Sequence, residues 1–433
     1  MIKQNGLHQR IIYLLLLRRL IITTCIRMTD LKKIFAFLFL VFAASCIDPY
    51  TPKLKGYDSL LTVDALITDA NTSCIVKLTT TIQNQNDVPP PVSHATVYLT
   101  DDAGNTSTLI NAGSGIYKTD SNEFRGTQGR TYVLHIATSD GKEYESDPCL
   151  MYPVPEIDSV YFAKDQQLVN NGTQSLDGVS VYLDSKEGTD NQYYRWSYEE
   201  TWKFKVPYPK KFDYVKTPDY PNSPKFPQIK DVKEFCWKSN RSSEVLIRSM
   251  SGAGKGGLLK QPISFIPTGL TDKLLIQYSI LVNQYSISKR EYDFWNNLKQ
   301  INETGNDIFS RQPYTVLSNL HSTTNPQESV LGYFQVSAVS QKRKNILYRE
   351  VALMGLPFYS YQCNILKLDL SWCPCTWDDL YWHLCIANDY TFTEPIFLNV
   401  SDVLMYLVFT RPECANCELT GTSKKPDFWI DLQ

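Results

Sequence analysis

The chain is 433 residues long, more than one ordinary domain of ~100–200 residues. Hydrophobic residues make up 43% and charged residues 20%, globular proportions that exclude wholesale disorder. With 43 basic against 45 acidic side chains, the net charge of −2 lacks the basic excess of a nucleic-acid binder, and no nucleic-acid partner is expected.

Residues 11–17 (IIYLLLL) stop at Arg18-Arg19, short of the ~20 apolar residues that cross a bilayer. From Met28 the pattern is that of a signal peptide: Lys32-Lys33, an apolar run over 34–42 (IFAFLFLVF), then Ala43-Ala44-Ser45 before Cys46. Small residues followed at once by cysteine are similar to a bacterial lipobox, which would lipidate Cys46. The alternative is an ordinary signal peptide with an incidental cysteine, since Ala43 stands where leucine is usual. The expected organisation is an upstream extension over 1–27 with Met28 as the start, a signal peptide over 28–45 and a tether over 46–57. Removing 1–45 leaves 36 basic and 44 acidic side chains, a net of −8. Charge would not draw such a body to an anionic membrane, so a lipid anchor would have to hold it there.

A β-sandwich is expected over 58–152. Leu61, Val63, Ala65 and Ile67 alternate with Thr62 and Asp64, and Cys74, Val76, Leu78, Thr80 and Ile82 alternate with Lys77, Thr79 and Thr81. That period of two is the mark of half-buried strands. Further short strands at 95–100, 106–110, 115–119 and 131–138, with turns at 101–105 and Asp140-Gly141, suit an antiparallel sandwich. Their cadence (ATVYLTDDAG, GIYKTD, YVLHIATSDGKEYES) resembles an immunoglobulin-like or transthyretin-like sandwich.

Pro148, Pro153 and Pro155 mark the boundary of a larger, mostly β domain over 153–433, with strands at 157–162, 179–183, 193–198 and 201–204. Residues 193–226 hold eleven aromatics interrupted by five prolines, with a sixth at Pro227, so the whole run cannot be one central strand. One reading is a hairpin whose ends are core and whose loop covers the body. The other is an aromatic contact surface for a partner or glycan, with Tyr208, Phe212, Tyr214 and Tyr220 as the binding residues. A helix is expected near 288–302, where Ser288 and Glu291 form a capping box and Phe294, Leu298 and Ile301 share a face. Strands return at 330–339, running into a basic turn Gln341-Lys342-Arg343-Lys344, and at 403–409.

Catalytic signatures fail on their spacing. Gly252-Ala253-Gly254-Lys255 has Ser249 where a phosphate loop needs its first glycine, and Gly256 where it needs Ser or Thr. Gly113-Ser114-Gly115 lacks the frame of a nucleophile elbow. His94, His135, His321 and His383 are scattered, so no catalytic residue, metal or cofactor is assigned. Nine cysteines remain beside Cys46: Cys74, Cys149, Cys236, Cys363, Cys373, Cys375, Cys385, Cys414 and Cys417. Cys373-Pro374-Cys375, Cys385 and the Cys414/Cys417 pair could form a zinc site or a redox pair. In an exported chain disulfides are the default. Cys74 and Cys149, the pair within the first sandwich, are the natural bridge there, and an odd total leaves at least one thiol free or paired between chains.

Several stretches together resemble a family of Bacteroidota lipoproteins of unknown function, encoded beside TonB-dependent outer-membrane receptors. They are Tyr50-Thr51-Pro52 behind the lipobox, YYRW at 193–196, Cys236-Trp237, YSILVNQYSIS at 278–288 leading into Tyr292-Asp293-Phe294-Trp295, and Gly332-Tyr333-Phe334. The terminal run from Cys414 and Cys417 through Gly421-Thr422 to Lys425-Pro426-Asp427-Phe428-Trp429 completes the match. Cys373, Cys375 and Cys385 depart from the pattern. The resemblance implies a lipid-anchored outer-membrane β protein partnering a nutrient receptor, with a small nutrient, peptide or glycan as ligand and no catalytic residues to carry over. A secreted glycan- or peptide-active hydrolase and a structural envelope-assembly lipoprotein are the alternatives. Ile47-Asp48-Pro49 offers one acid after Cys46 and leaves the periplasmic or cell-surface face open.

Overall fold

A computed structural model describes residues 59–82, 87–169, 172–186, 191–215, 225–250, 257–304, 318–369, 382–386, 388–397 and 404–432. The leader, Cys46 and its tether, the glycine loop over 252–256, Tyr220, Cys373 and Cys375 lie outside them.

Strand Leu61–Ile67 keeps the alternation of its sequence, with Leu61, Val63, Ala65 and Ile67 buried and Asp64 exposed. Its sheet runs in the order Leu331–Val336, Leu61–Ile67, Ile75–Thr80, Ile116–Lys118, Ile110–Gly113. The opposing sheet runs Leu320–Ser322, Glu143–Ser146, Thr131–Thr138, Ala95–Asp101, Thr106–Thr108, with Cys149–Leu150 also on Thr131–Thr138. Val63, Leu78, Val97, Leu134 and Phe334 close one apolar core between the two. Residues 58–152 therefore do not complete this sandwich; one strand of each sheet comes from 320–336. Leu331–Val336 pairs with Leu61–Ile67 in parallel, from Thr62 opposite Leu331 to Ile67 opposite Val336. Gly332 makes that approach feasible: it sits at φ +92°, and a Cβ there would lie 1.9 Å from the Val63 carbonyl oxygen.

The second sandwich is larger. One sheet runs Phe235–Arg241, Tyr193–Lys205, Gln277–Ser286, Val339–Leu347, with Leu246–Ser249 also on Tyr193–Lys205. The other runs Ile157–Val169, Gln174–Ser185, Gln261–Pro267. Val181, Leu183, Trp196, Phe204, Ile266 and Ile280 pack between them. The strands expected at 193–198 and 201–204 are one strand of 13 residues. The basic run 341–344, expected as a turn, lies inside Val339–Leu347. Its lysines keep their charges wet or paired while their stems lie along the protein: Lys342 Nζ donates to the Asp158 carbonyl, and Lys344 Nζ sits 5.3 Å from the Phe162 ring centre.

A third sheet, Ile365–Asp369, Leu404–Thr410, Thr391–Phe397, has its own small cluster around Phe392, Leu407 and Phe409. The expected helix spans Lys289–Thr304. Ser288 Oγ accepts the Glu291 N–H at 3.1 Å, and Phe294 packs on Tyr333 with ring centres 4.7 Å apart. Among the described residues no helix is long and apolar enough to cross a membrane.

Candidate functional site

Among the described residues four cysteines form two bridges, Cys236–Cys417 and Cys363–Cys414. Cys414 and Cys417 thus point to different partners, and that spacing is not a redox pair. The natural bridge between Cys74 and Cys149 is not made: both thiols are free, as is Cys385. Each is held on its own sheet by local bonds. Cys74 Sγ accepts the Thr68 N–H at 3.4 Å, and Cys149 Sγ accepts from Asn319 Nδ2 at 3.2 Å. Burial raises both thiols, Cys149 to about 12, so neither is a ready thiolate. Among the described residues no group of three or more His, Cys, Asp or Glu side chains is placed to hold a metal ion.

The aromatic stretch divides. Trp196, Tyr198, Trp202 and Phe204 are core residues of the long strand. Phe212 and Tyr214, expected on a binding surface, are partly buried against the third sheet's cluster together with Phe226. Phe226 lies 6.2 Å from Tyr214 and 5.5 Å from Phe392 between ring centres. These rings join Phe212, Tyr214 and Phe226 to the third sheet. Tyr208 is half-buried, its N–H donating to the Cys414 carbonyl at 3.1 Å.

A cleft of about 320 Å³ opens beside the Cys363–Cys414 bridge. Its floor is Asp272, delivered by the loop after Gln261–Pro267 and almost fully buried. Trp202 Nε1 donates to Asp272 Oδ1 at 2.9 Å, Lys238 Nζ lies 3.1 Å from Oδ2, and the Tyr361 hydroxyl donates to Oδ2 at 3.4 Å. Burial and the Asp272 charge raise the Tyr361 phenol above its ordinary value. The Lys238 ammonium also sits 4.1 Å from the centre of the Phe204 ring. Behind this floor, Glu200 is buried with Lys273 Nζ at 2.6 Å and accepts from Tyr278 OH at 2.8 Å and Asn240 Nδ2 at 3.2 Å. A buried carboxylate is tolerated only when paired and hydrogen-bonded in this way. Both carboxylates thus have their oxygens taken up by donors from within the protein.

A smaller cavity of about 230 Å³ lies where the helix meets the first sandwich, lined by Glu291, Cys149, Asn319 and Tyr333. Burial pushes the Glu291 carboxyl up to about 8, opposed by the charge of Arg195 and by the Trp295 Nε1 donor at 3.1 Å. Arg195 itself is stacked between Trp295 and Tyr285, 4.6 and 4.9 Å from their ring centres, and gives Nη2 to Gln335 Oε1 at 2.7 Å. His321 Nδ1 lies 4.0 Å from Asp147 Oδ1, so it faces that carboxylate and does not activate the Cys149 thiol.

Sequence reasoning missed Lys238, Asp272, Tyr359, Tyr361 and Glu413, which line the larger cleft. They are spread over more than 170 residues of chain, and none belongs to a motif. The one visible signal was Cys414, which placed the neighbourhood under a disulfide.

A family model described as "Domain of unknown function (DUF4249)" matches residues 47–343, more than half of the chain. No curated protein matches the sequence. One solved structure, titled "Biofilm associated protein - BSP domain", is 7% identical over 67% of this chain and 62% of its own, with a TM-score of 0.12. That alignment spans less than two thirds of the other structure, and so low a score carries no statement about fold.

Proposed function

The chain belongs to the DUF4249 family, and on that premise we propose that it is a non-enzymatic, outer-membrane-anchored lipoprotein. It serves a TonB-dependent nutrient receptor as an accessory or ligand-binding partner. The observation that carries this reading is the pair of long-range disulfides, Cys236–Cys417 and Cys363–Cys414. Disulfides persist in oxidising compartments, and they stand in a chain whose leader pattern ends at Cys46. The cleft beside Cys363–Cys414 supplies a place for a small nutrient or the end of a peptide or glycan. Its volume is near the lower end of small-molecule pockets, ~300–1,000 Å³.

The test has two readings. Mass spectrometry of the chain taken from membranes is expected to find diacyl- or triacyl-Cys46 as the mature N-terminus; any other N-terminus removes the anchor. Mild crosslinking in cells is expected to recover a β-barrel receptor; an uncrosslinked monomer removes the partnership.

A further inference from the structure

Several aromatic rings of this protein lie under cations of its own. Lys238 lies over Phe204, Lys273 over Trp202, Lys203 over Phe235, Arg343 over Phe428 and Arg411 over Tyr390, at 3.8 to 5.2 Å from the ring centres. Tyr359 and Tyr361, which line the larger cleft and meet edge to face at 5.2 Å, have faces that no lysine or arginine among the described residues covers. The charges of the same cleft are also out of balance. Its one lysine, Lys238, is already committed to Asp272 and Phe204. The second carboxylate on its wall, Glu413, is exposed at the rim in the first turn of the short helix Pro412–Ala415, and no ion pair is formed to it among the described residues.

We infer that this cleft binds a small organic cation, an alkylammonium or guanidinium group, against the Tyr359 and Tyr361 rings with Glu413 as its counter-charge. The inference rests on the ligand-binding reading above and names the chemistry of that ligand. A cation over an aromatic face gains most where it is partly desolvated, and a half-buried pair of tyrosines beside an uncompensated carboxylate meets that condition. Asp272 holds the site in place without taking the ligand's charge, because its oxygens already accept from Trp202, Lys238 and Tyr361. An anionic ligand would face a lining with two carboxylates and one neutralised lysine. A neutral sugar would find the rings but would have no use for the unpaired charge.

The test is calorimetric titration of the full chain in detergent with 1,5-diaminopentane and agmatine, and with glutarate and glucose as the anionic and neutral probes. The two cations are expected to bind, more weakly as salt is raised, and the other two not to bind. Glu413→Gln and Tyr359→Leu are each expected to weaken the cations several-fold, with the melting temperature of each variant checking that the fold is intact. Glucose or glutarate binding as tightly as the cations overturns the inference, as does cation binding unchanged in both variants. If no probe binds while the receptor is still recovered by crosslinking, the cation site falls and the accessory role stands. If the cations bind and no receptor is found, the site stands and the partnership falls.

Discussion

The two sandwiches of this protein are stabilised by different means. The first has a core of aliphatic and aromatic side chains, two free thiols and two strands borrowed from far along the sequence. The second places Glu200 with Lys273 and Asp272 with Lys238 against its aromatic core, and the chain around them is fixed by two disulfides. Apolar burial suffices for a body that has only to hold its shape. Buried ion pairs add little net stability and make their neighbourhood sensitive to single changes, so the region beside the cleft is the part of the fold where single substitutions tell most.

That contrast can be broken most severely at the bridges. Replacing Cys236 and Cys417 by serine opens a loop whose ends are 181 residues apart, for a loss on the order of 5 kcal/mol in the chain-entropy view. Denaturant unfolding measures it. Serine at Cys74 and Cys149, which form no bridge, is expected to shift the melting point by the same amount under oxidising and under reducing conditions. Next in size is Glu200→Ala, which leaves the buried Tyr278 hydroxyl and the partly exposed Lys273 ammonium without their acceptor and is expected to destabilise by ~3 kcal/mol; an unchanged midpoint would mean that these contacts contribute nothing.

Glu291 sharpens the comparison through pH, because it lies on the helix that touches both sandwiches. Its carboxyl titrates at about 8 in the folded chain against an ordinary value of 4.5. The folded state therefore holds its proton more tightly, so the stabilising contribution is fully present below pH 4.5 and is lost as pH rises towards 8. Relative to Glu291→Gln, the native chain is expected to lose ~3 kcal/mol between pH 5 and 8. Parallel pH profiles for the two proteins would discard that assignment. Gly332→Ala, which drives a Cβ onto the Val63 carbonyl, is expected to cost about 2 kcal/mol or more, measured by chemical denaturation. The smallest effect is at the surface: Lys289→Ala removes the exposed pair with Asp293, and a shift above ~0.5 kcal/mol would be unexpected.

How far these regions could be read in advance follows from the same physics. Leu61–Ile67 and Thr131–Thr138 have one buried and one wetter face, so their alternation is visible. Gln277–Ser286 is buried almost throughout and lacks that rhythm; it stood out in the sequence only through resemblance. Lys342 and Lys344 read as a turn because their charge hid a strand whose long side chains reach past the sheet. The helix was legible from Ser288 and Glu291, although the Glu291 side chain turns to Trp295. Nothing local could show that Cys74 and Cys149 would be fixed on different sheets, or that Asp272 would meet Lys238 and Tyr361 in a cleft that Glu413 also lines. Those meetings depend on the third sheet and the bridges, which are long-range facts.

The parallel pairing of Leu61–Ile67 with Leu331–Val336 sets an order of assembly. Chains are made and delivered N-terminus first, so the first strand of the first sheet waits for a neighbour made some 270 residues later. Until then one edge of that strand is open, the condition under which strands join the wrong partner. Only two residues, Ser337 and Ala338, then separate the borrowed strand from Val339–Leu347 of the other sandwich. Closing the first body and laying the last long strand of the second are therefore nearly simultaneous events. The N-terminal sandwich is the first part synthesised and among the last finished, and a truncated product ending before residue 331 would expose its unfilled edge to whatever quality control patrols its compartment.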